Sequence, residues 1–215
     1  SDGQLETWNS IITFTRPNIT VSGYTYNDDK PCGIVLSGIT FKSKIPSTDD
    51  GTDGGSMAAD RGVRFINCVD FKVYNCRFEN FGDGGLEVRH RDYLARGLVY
   101  NCEFYNNAKG ALGLGLGYGV TVYGEGKEWV YNVNFGTADF IFIEDCTFDY
   151  HRHSIASAGG SRYVARYNTF RFNIIAAPYS HCIDTHESRG FVNSSTGKYQ
   201  QSTNSYGSRI TEIYN

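Results

Sequence analysis

One repeated phrase decides the fold: FINC at 65–68, VYNCRF at 73–78, VYNCEF at 99–104, FIEDCTF at 142–148, ARYNTF at 165–170 and, at the end of the chain, EIYN at 212–215. Its aromatic residue recurs at Phe78, Phe104, Phe148 and Phe170, at steps of 26, 44 and 22 residues. Steps of this length indicate stacked repeats rather than one globular core. Apolar residues alternate within each phrase, as in β-strands, and no stretch has the spacing of a capped helix.

We therefore expect an all-β parallel β-helix (a solenoid) of about six coils with lateral loops. Successive coils would be hydrogen-bonded about 4.8 Å apart, so that equivalent side chains stack. Residues 1–215 are predicted to form a single domain. No charged capping helix is visible at either end, which leaves two interpretations: a segment of a longer chain, or a unit that associates end to end.

The composition narrows the choice of partners. The net charge is −3, so nothing predicts a nucleic-acid partner. The apolar runs are too short to span a bilayer, and no membrane span is expected. The 16 Tyr and 14 Phe residues suit pleated, half-buried surfaces.

Each repeated phrase should form a corner of the coil. Asparagine tolerates the positive φ that tight corners require, and it stands in the corners at Asn67, Asn75, Asn101, Asn168 and Asn215. The cysteine that follows should form a stacked column of Cys76, Cys102 and Cys146. Two interpretations stay open for this column: small apolar residues, or disulfides between neighbours about 5 Å apart.

A second short strand follows most of these phrases and carries the candidate binding surface. The strands GGLEVRH (84–90), GALGLGLG (110–117), HSIASAGG (153–160) and HCIDTHES (181–188) align by their apolar residues. If Leu86, Leu112, Ile155 and Ile183 point inward, alternation places two rows outward: Glu87, Gly113, Ala156 and Asp184, and Arg89, Gly115, Ala158 and His186.

Such a surface combines a floor of Gly and Ala with charged flanks, which suits a flat sugar ring and its carboxylate. The predicted substrate-binding residues are Glu87, Arg89, Gly113, Gly115, Ala156 and Arg152. The alternative is that the small residues only relieve crowding beneath residues 118–139, which form either a further coil or a lid.

Histidines concentrate near one end of this surface. The alignment places His153 and His181 on neighbouring rungs, about 4.8 Å apart. Imidazoles beside a carboxylate can act as acid and base near neutral pH, or bind a transition metal. The predicted catalytic residues are His153, His181, Asp184 and His186. The alternative is a structural histidine pair bonded to corner carbonyls.

An acidic loop offers a candidate calcium site. Asp49, Asp50 and Asp53 supply oxygen ligands, but their spacing is not that of an EF-hand. A solvated acidic loop is the alternative, and no other cofactor is expected.

The segment GTADFIF (136–142) resembles a signature of pectin methylesterases, which are parallel β-helices. That resemblance implies Asp139 as the nucleophile. Ala138 departs from the signature, and no Gln-Asp pair follows, so the resemblance supports the fold more than the reaction.

The chain as a whole resembles the pectate-lyase-like, right-handed parallel β-helix superfamily, including its secreted and virion-associated members. The resemblance rests on the Asn-Cys-x-Phe corners, GYGVTVYG (117–124) and RHSIASAGGSRYVARYNTF (152–170). It implies a right-handed helix, an extracellular or cell- or virion-surface location, and a polysaccharide partner. One hypothesis is a polysaccharide lyase or glycoside hydrolase acting on an acidic glycan. The other is a structural or adhesive module such as a fibre, tailspike or filament subunit.

Overall fold

The computed structural model describes, with side chains, residues 33–43, 61–89, 95–107, 116–124, 138, 140–159, 161–171 and 181–185. It gives the backbone alone for the strand residues 4–7, 12–15, 20–21, 24–25, 186, 191–192, 199–200 and 209–214. All regular structure in these parts of the chain is β-strand. No helix in them is long and apolar enough to cross a membrane.

Eighteen strands, numbered in chain order, form three six-stranded sheets. Sheet A contains β1 (Gln4–Thr7), β6 (Thr40–Ser43), β9 (Arg77–Glu79), β12 (Glu103–Tyr105), β15 (Thr147–Asp149) and β18 (Thr169–Phe170). Sheet B contains β2 (Ile12–Thr15), β7 (Arg61–Ile66), β10 (Gly84–Arg89), β13 (Tyr118–Tyr123), β16 (His153–Ala158) and β19 (His181–His186). Sheet C contains β5 (Val35–Ser37), β8 (Val69–Tyr74), β11 (Arg96–Tyr100), β14 (Ile141–Glu144), β17 (Arg162–Arg166) and β22 (Arg209–Tyr214).

The chain visits the sheets in a fixed order, C then A then B, and each visit pairs in parallel with the strand one coil earlier. The result is a right-handed parallel β-helix of about five coils, which confirms the predicted fold with one coil fewer. Two antiparallel ribbons lie outside the three sheets: β3 (Thr20–Val21) with β4 (Tyr24–Thr25), and β20 (Phe191–Val192) with β21 (Tyr199–Gln200).

Positive backbone φ angles turn the chain from sheet C to sheet A, as the asparagine pattern predicts. Asn75 and Asn101 have φ of 54° and 49°, and Asn101 Nδ2 donates to Asn75 Oδ1 over 2.7 Å. In the next two coils the residues with positive φ at this corner are Asp145 and Tyr167. The prediction for Asn168 was therefore wrong in register: it stands one place later, where its side chain bonds the backbone of Cys146 and Ile143.

The core consists of stacked columns of identical or similar side chains. One column contains Phe41, Phe78, Phe104, Phe148 and Phe170, and their successive ring centroids lie 4.9, 5.0, 4.9 and 5.3 Å apart. Offset aromatic stacking at this spacing adds to the free energy gained by burial. Because each ring stacks on the ring of the neighbouring coil, the column fixes the register between coils.

The cysteine column matches the apolar interpretation. Cys76, Cys102 and Cys146 are buried free thiols. Each Sγ lies 3.1–3.3 Å from the carbonyl oxygen two residues earlier, to which its S–H donates. These residues therefore act as small core residues that close the corner.

Candidate functional site

The outer face of sheet B carries three rows of side chains, and successive members of one row lie one rung of the helix apart. Val63, Leu86, Val120 and Ile155 of these strands lie in the core, so alternation turns the residues one and three places later outward. Alternation is interrupted just before them: a Cβ on Gly62, Gly85 or Gly119 would also meet a core phenylalanine, so the residues that precede these glycines face outward. The first row is Arg61, Gly84, Tyr118, His153 and His181. The second is Arg64, Glu87, Thr121, Ala156 and Asp184, and the third is Ile66, Arg89, Tyr123, Ala158 and His186.

The histidine end of this face has the predicted pairing. His153 pairs with His181, and their rings stack with centroids 5.3 Å apart and planes 6° apart. Tyr118 stacks on the other face of His153 at 5.7 Å. Asp184 Oδ2 lies 3.2 Å from His153 Nε2. His153 is fully buried whereas His181 is exposed, so of the two imidazoles it is His181 that a ligand can touch.

Arg152 joins this cluster through the turn that precedes β16. Regular alternation along a strand would point it away from the histidines, but β16 begins only at His153. Its guanidinium hydrogen-bonds the hydroxyl of Tyr118. Burial raises the pKa of Tyr118, and Arg152 opposes that rise, so the phenol stays protonated at neutral pH. The turn thus places a guanidinium, a phenol and two imidazoles together.

The opposite end of the face is closed by ion pairs. The side chain of Glu87 is only 1% exposed, and it contacts Arg61 at 2.6 Å and both Arg64 and Arg89 at 3.0 Å. Arg61 also binds Asp83. Glu87 faces outward as predicted, but three guanidiniums surround it, so it holds the arginines and is not open to a ligand.

Asp83 is a second carboxylate at this end. Burial raises its pKa, although the neighbouring Arg61 opposes the rise. Burial by itself would lower the pKa of Arg61, but Glu87 and Asp83 raise it overall. Oδ1 of Asp83 and Oγ1 of Thr121 are buried and have no hydrogen-bond partner in the described part of the chain.

Sequence reasoning missed several members of this surface. Arg61, Arg64 and Asp83 lie on or beside strands of sheet B, and Tyr118 and Tyr123 lie on β13. The signal that could have identified the two tyrosines was the alternation in YGVTVY, which matches GGLEVR more closely than the Gly-Leu repeat does. This strand at 118–123 belongs to the segment that the sequence left open as either a further coil or a lid.

The predicted positions of Gly113 and Gly115 in the two rows were therefore wrong. Thr121 pairs with Glu87 and Ala156, and Tyr123 pairs with Arg89 and Ala158, so β13 occupies both places. The floor is formed by Thr121, Ala156 and Ala158 with a tyrosine beside it. Gly113 and Gly115 themselves lie outside the described residues.

Several other predicted residues also fall outside the description. These are Asp49, Asp50 and Asp53 of the candidate calcium loop, Asp139, and the side chain of His186, whose backbone pairs with Ala158. Among the described residues no group of three or more His, Cys, Asp or Glu could hold a metal ion.

The stacked histidines do not suit a shared metal ion as they stand. An ion bound to one nitrogen of each ring at about 2.1 Å needs those nitrogens within about 4.2 Å of each other. The rings of His153 and His181 are nearly parallel with centroids 5.3 Å apart. The arrangement therefore does not place the two imidazoles as a pair of ligands to one ion.

Comparisons with known proteins give no relative. No family model, no curated protein and no solved structure matches this chain. The function must be argued from the geometry of sheet B.

Proposed function

We propose that this protein binds an extracellular polysaccharide along the outer face of sheet B, and that it acts there on an acidic glycan as a lyase or a hydrolase. The observation that carries the proposal is the open end of the face, where exposed His181 stacks on buried His153 beside Asp184. Acid/base side chains beside a floor of small residues are what a sugar ring requires.

The residues of the open end divide naturally into two roles. His181 is the group that would exchange a proton with the glycan, because it is exposed. His153 and Asp184 would orient it: His153 stacks beneath His181, and Asp184 contacts Nε2 of His153. The carboxylate of Asp184 fixes the orientation of the His153 ring, and that ring in turn supports the stacked imidazole of His181. Arg152 supplies a positive charge at the same end for a uronate carboxylate or a developing negative charge.

The middle of the face supports a bound chain rather than a single sugar. Thr121, Ala156 and Ala158 give a low floor between the two polar ends, and Tyr123 stands beside it. Rungs about 4.8 Å apart have roughly the length of one pyranose unit, so a glycan lying along the axis would place successive sugars on successive rungs. The closed end has three guanidiniums against the two carboxylates of Glu87 and Asp83, and this surplus of positive charge favours an acidic chain.

A non-enzymatic role, as an adhesive or structural module at a cell or virion surface, is the second candidate. It is favoured by the ion pairs around Glu87, which leave one end of the face rigid and closed. Glu87 also lies three rungs from Asp184, which corresponds to about 14 Å. That distance is too long for the two carboxylates to act on one glycosidic bond. Electron microscopy of the purified protein tests this role: end-to-end filaments support it, and discrete monomers alone contradict it.

The test of the enzymatic proposal is a glycan array followed by product analysis on the glycans that bind. His181→Ala should abolish turnover while the far-ultraviolet circular dichroism stays unchanged. Lys72→Ala, an exposed change on the outer face of sheet C, is the matched control and should leave turnover intact. Equal turnover in both variants would reject His181 as the catalytic group. No binding to any glycan by the parent protein would reject the proposed function itself.

A further inference from the structure

A column of hydrogen bonds lies inside the helix where sheet A turns into sheet B. His151 and Asn107 are both fully buried there. The backbone N–H of Asn107 donates to Nδ1 of His151 over 3.3 Å. Nδ1 must then be unprotonated, so Nε2 carries the proton and donates to the carbonyl oxygen of Phe104 at 3.1 Å. The two partners thus select one neutral tautomer of His151.

The column continues through the side chain of Asn107 into the previous coil. Its Oδ1 accepts from the N–H of Phe81 over 3.1 Å, and its Nδ2 donates to the carbonyl of Phe78 over 3.0 Å. The packing is tight, because a Cβ on Gly85 would lie only 2.9 Å from Nδ2 of Asn107. Three successive corners are therefore tied together from inside.

These corners lead directly into the candidate site. His151 immediately precedes Arg152 and His153, and Phe81 is two residues before Asp83. On the outside the same turns form a ladder: the amides of Arg152 and His153 both donate to Gly117 over 3.1 Å, and the amide of His181 donates to Arg152 over 2.9 Å. The position of Arg152 therefore depends on the turn that His151 holds.

No charged group faces the imidazole of His151 in the described part of the chain. Burial lowers its pKa to about 4, and only the carbonyl of Phe104 opposes that shift. The neighbouring ring of Phe148 meets it edge to face at 6.1 Å. The ionisable side chains of the adjacent elements pair elsewhere: Glu79 with Lys42 and Arg77, Glu103 with Arg77, Asp149 with Arg171, Asp83 with Arg61, Arg152 with Tyr118 and His153 with Asp184.

We propose that His151 and Asn107 are positioning residues of the candidate site, and that protonation of His151 at Nδ1 releases the turn that carries Arg152 and His153. The incoming proton occupies the lone pair that accepts the Asn107 N–H, so that one hydrogen bond breaks and no other bond changes. The inference rests on the proposed function only in taking the outer face of sheet B as the ligand site.

Two substitutions of His151 separate positioning from general stability. Gln can accept from Asn107 and donate to Phe104, but it does not titrate, whereas Leu can do neither. Amide hydrogen exchange at neutral pH should show about tenfold lower protection at Arg152, His153 and His181 in His151→Leu, the equivalent of one lost hydrogen bond. Protection in His151→Gln should stay near that of the parent. A fall spread equally over all three sheets, or no fall at these amides, would overturn the proposal.

An acid titration tests the release of the turn and does not require a folded Leu variant. As the pH falls towards 4, the ring signals of His153 and the guanidinium signal of Arg152 should shift together in the parent protein. His151→Gln should lack this step, while Asp184→Asn should keep it, which separates it from titration of Asp184. The same step in the parent and in His151→Gln would contradict the proposal. Neither experiment uses a glycan, so a failure to find any glycan ligand counts against the proposed function alone.

Discussion

Glu87 and Asp184 stand in the same row of sheet B, three rungs apart, yet their surroundings are opposite. Glu87 is 1% exposed and contacts three arginines. The side chain of Asp184 is 16% exposed, contacts His153 and lies on the strand of the exposed His181. The strands and the row are equivalent, so the difference comes from the surrounding side chains. Arg61 and Arg64 reach Glu87 from the neighbouring rung, and Arg89 reaches it from two residues along the same strand.

The comparison separates a carboxylate that holds the structure from one that a ligand can reach. The first has its charge neutralised by fixed guanidiniums, and removing it would leave those cations together. The second is only partly compensated and borders solvent. A polar row on a β-helix therefore does not define a site until its neighbours above and below are known.

The largest expected effect is on the closed end. Glu87→Ala leaves a cluster of half-buried arginines without their shared buried partner and should destabilise the protein by about 3 kcal/mol. Asp184→Ala should cost only about 1 kcal/mol, because it removes a single partly exposed contact. Urea unfolding followed by tryptophan fluorescence measures both. Equal losses of stability would show that the two carboxylates are not different in kind.

Acid should act on the open end through His151. Its pKa is about 4 in the folded protein, below the ordinary 6.5, so the unfolded chain binds more protons between these values. The stabilisation is complete above pH 6.5 and is lost as the pH falls to 4, by about 3 kcal/mol in total. Unfolding curves at pH 7 and pH 4.5 should differ less in His151→Gln than in the parent. An unchanged pH dependence in that variant would rule out His151 as the source.

Single arginine substitutions sharpen the comparison further. Arg89→Gln removes one of three partners of Glu87 and should cost about 1–2 kcal/mol. Arg152→Gln should change stability by less than about 0.5 kcal/mol, since its side chain is half-buried and bonds a phenol, but it should weaken binding of an acidic glycan. Thermal unfolding and binding to polygalacturonate and to its methyl ester distinguish the two effects. The reverse order of stabilities would contradict the assignment of the two ends.

The smallest effect on stability is expected at the exposed imidazole. His181→Ala should change the free energy of unfolding by less than about 0.5 kcal/mol, as for most surface substitutions. Its effect on glycan turnover should nevertheless be the largest among these variants. A large loss of stability would instead mark the stacked pair of His153 and His181 as a structural element.

Much of this structure could be predicted because, in a repeat, residues at equivalent places of successive coils are neighbours in space. The spacing of Phe78, Phe104 and Phe148 predicted their stacking, and the shared place of His153 and His181 predicted their contact. Where the repeat was interrupted, between Phe104 and Phe148, two segments competed for one rung. The Gly-Leu repeat was chosen in place of the strand at 118–123, and the predicted glycine floor was wrong for that reason.

The amino-acid sequence by itself determined the coil, its corners and its inward columns, because strand alternation and positive-φ corners are local properties of the chain. Only the tertiary structure decided which outward residues are usable. It closed Glu87 under three arginines drawn from two neighbouring strands, left His181 exposed, and brought Arg152 to Tyr118 through a turn. Burial and ion pairing depend on what lies one rung away, which is a distance of some two dozen residues along the chain and only about 4.8 Å in space.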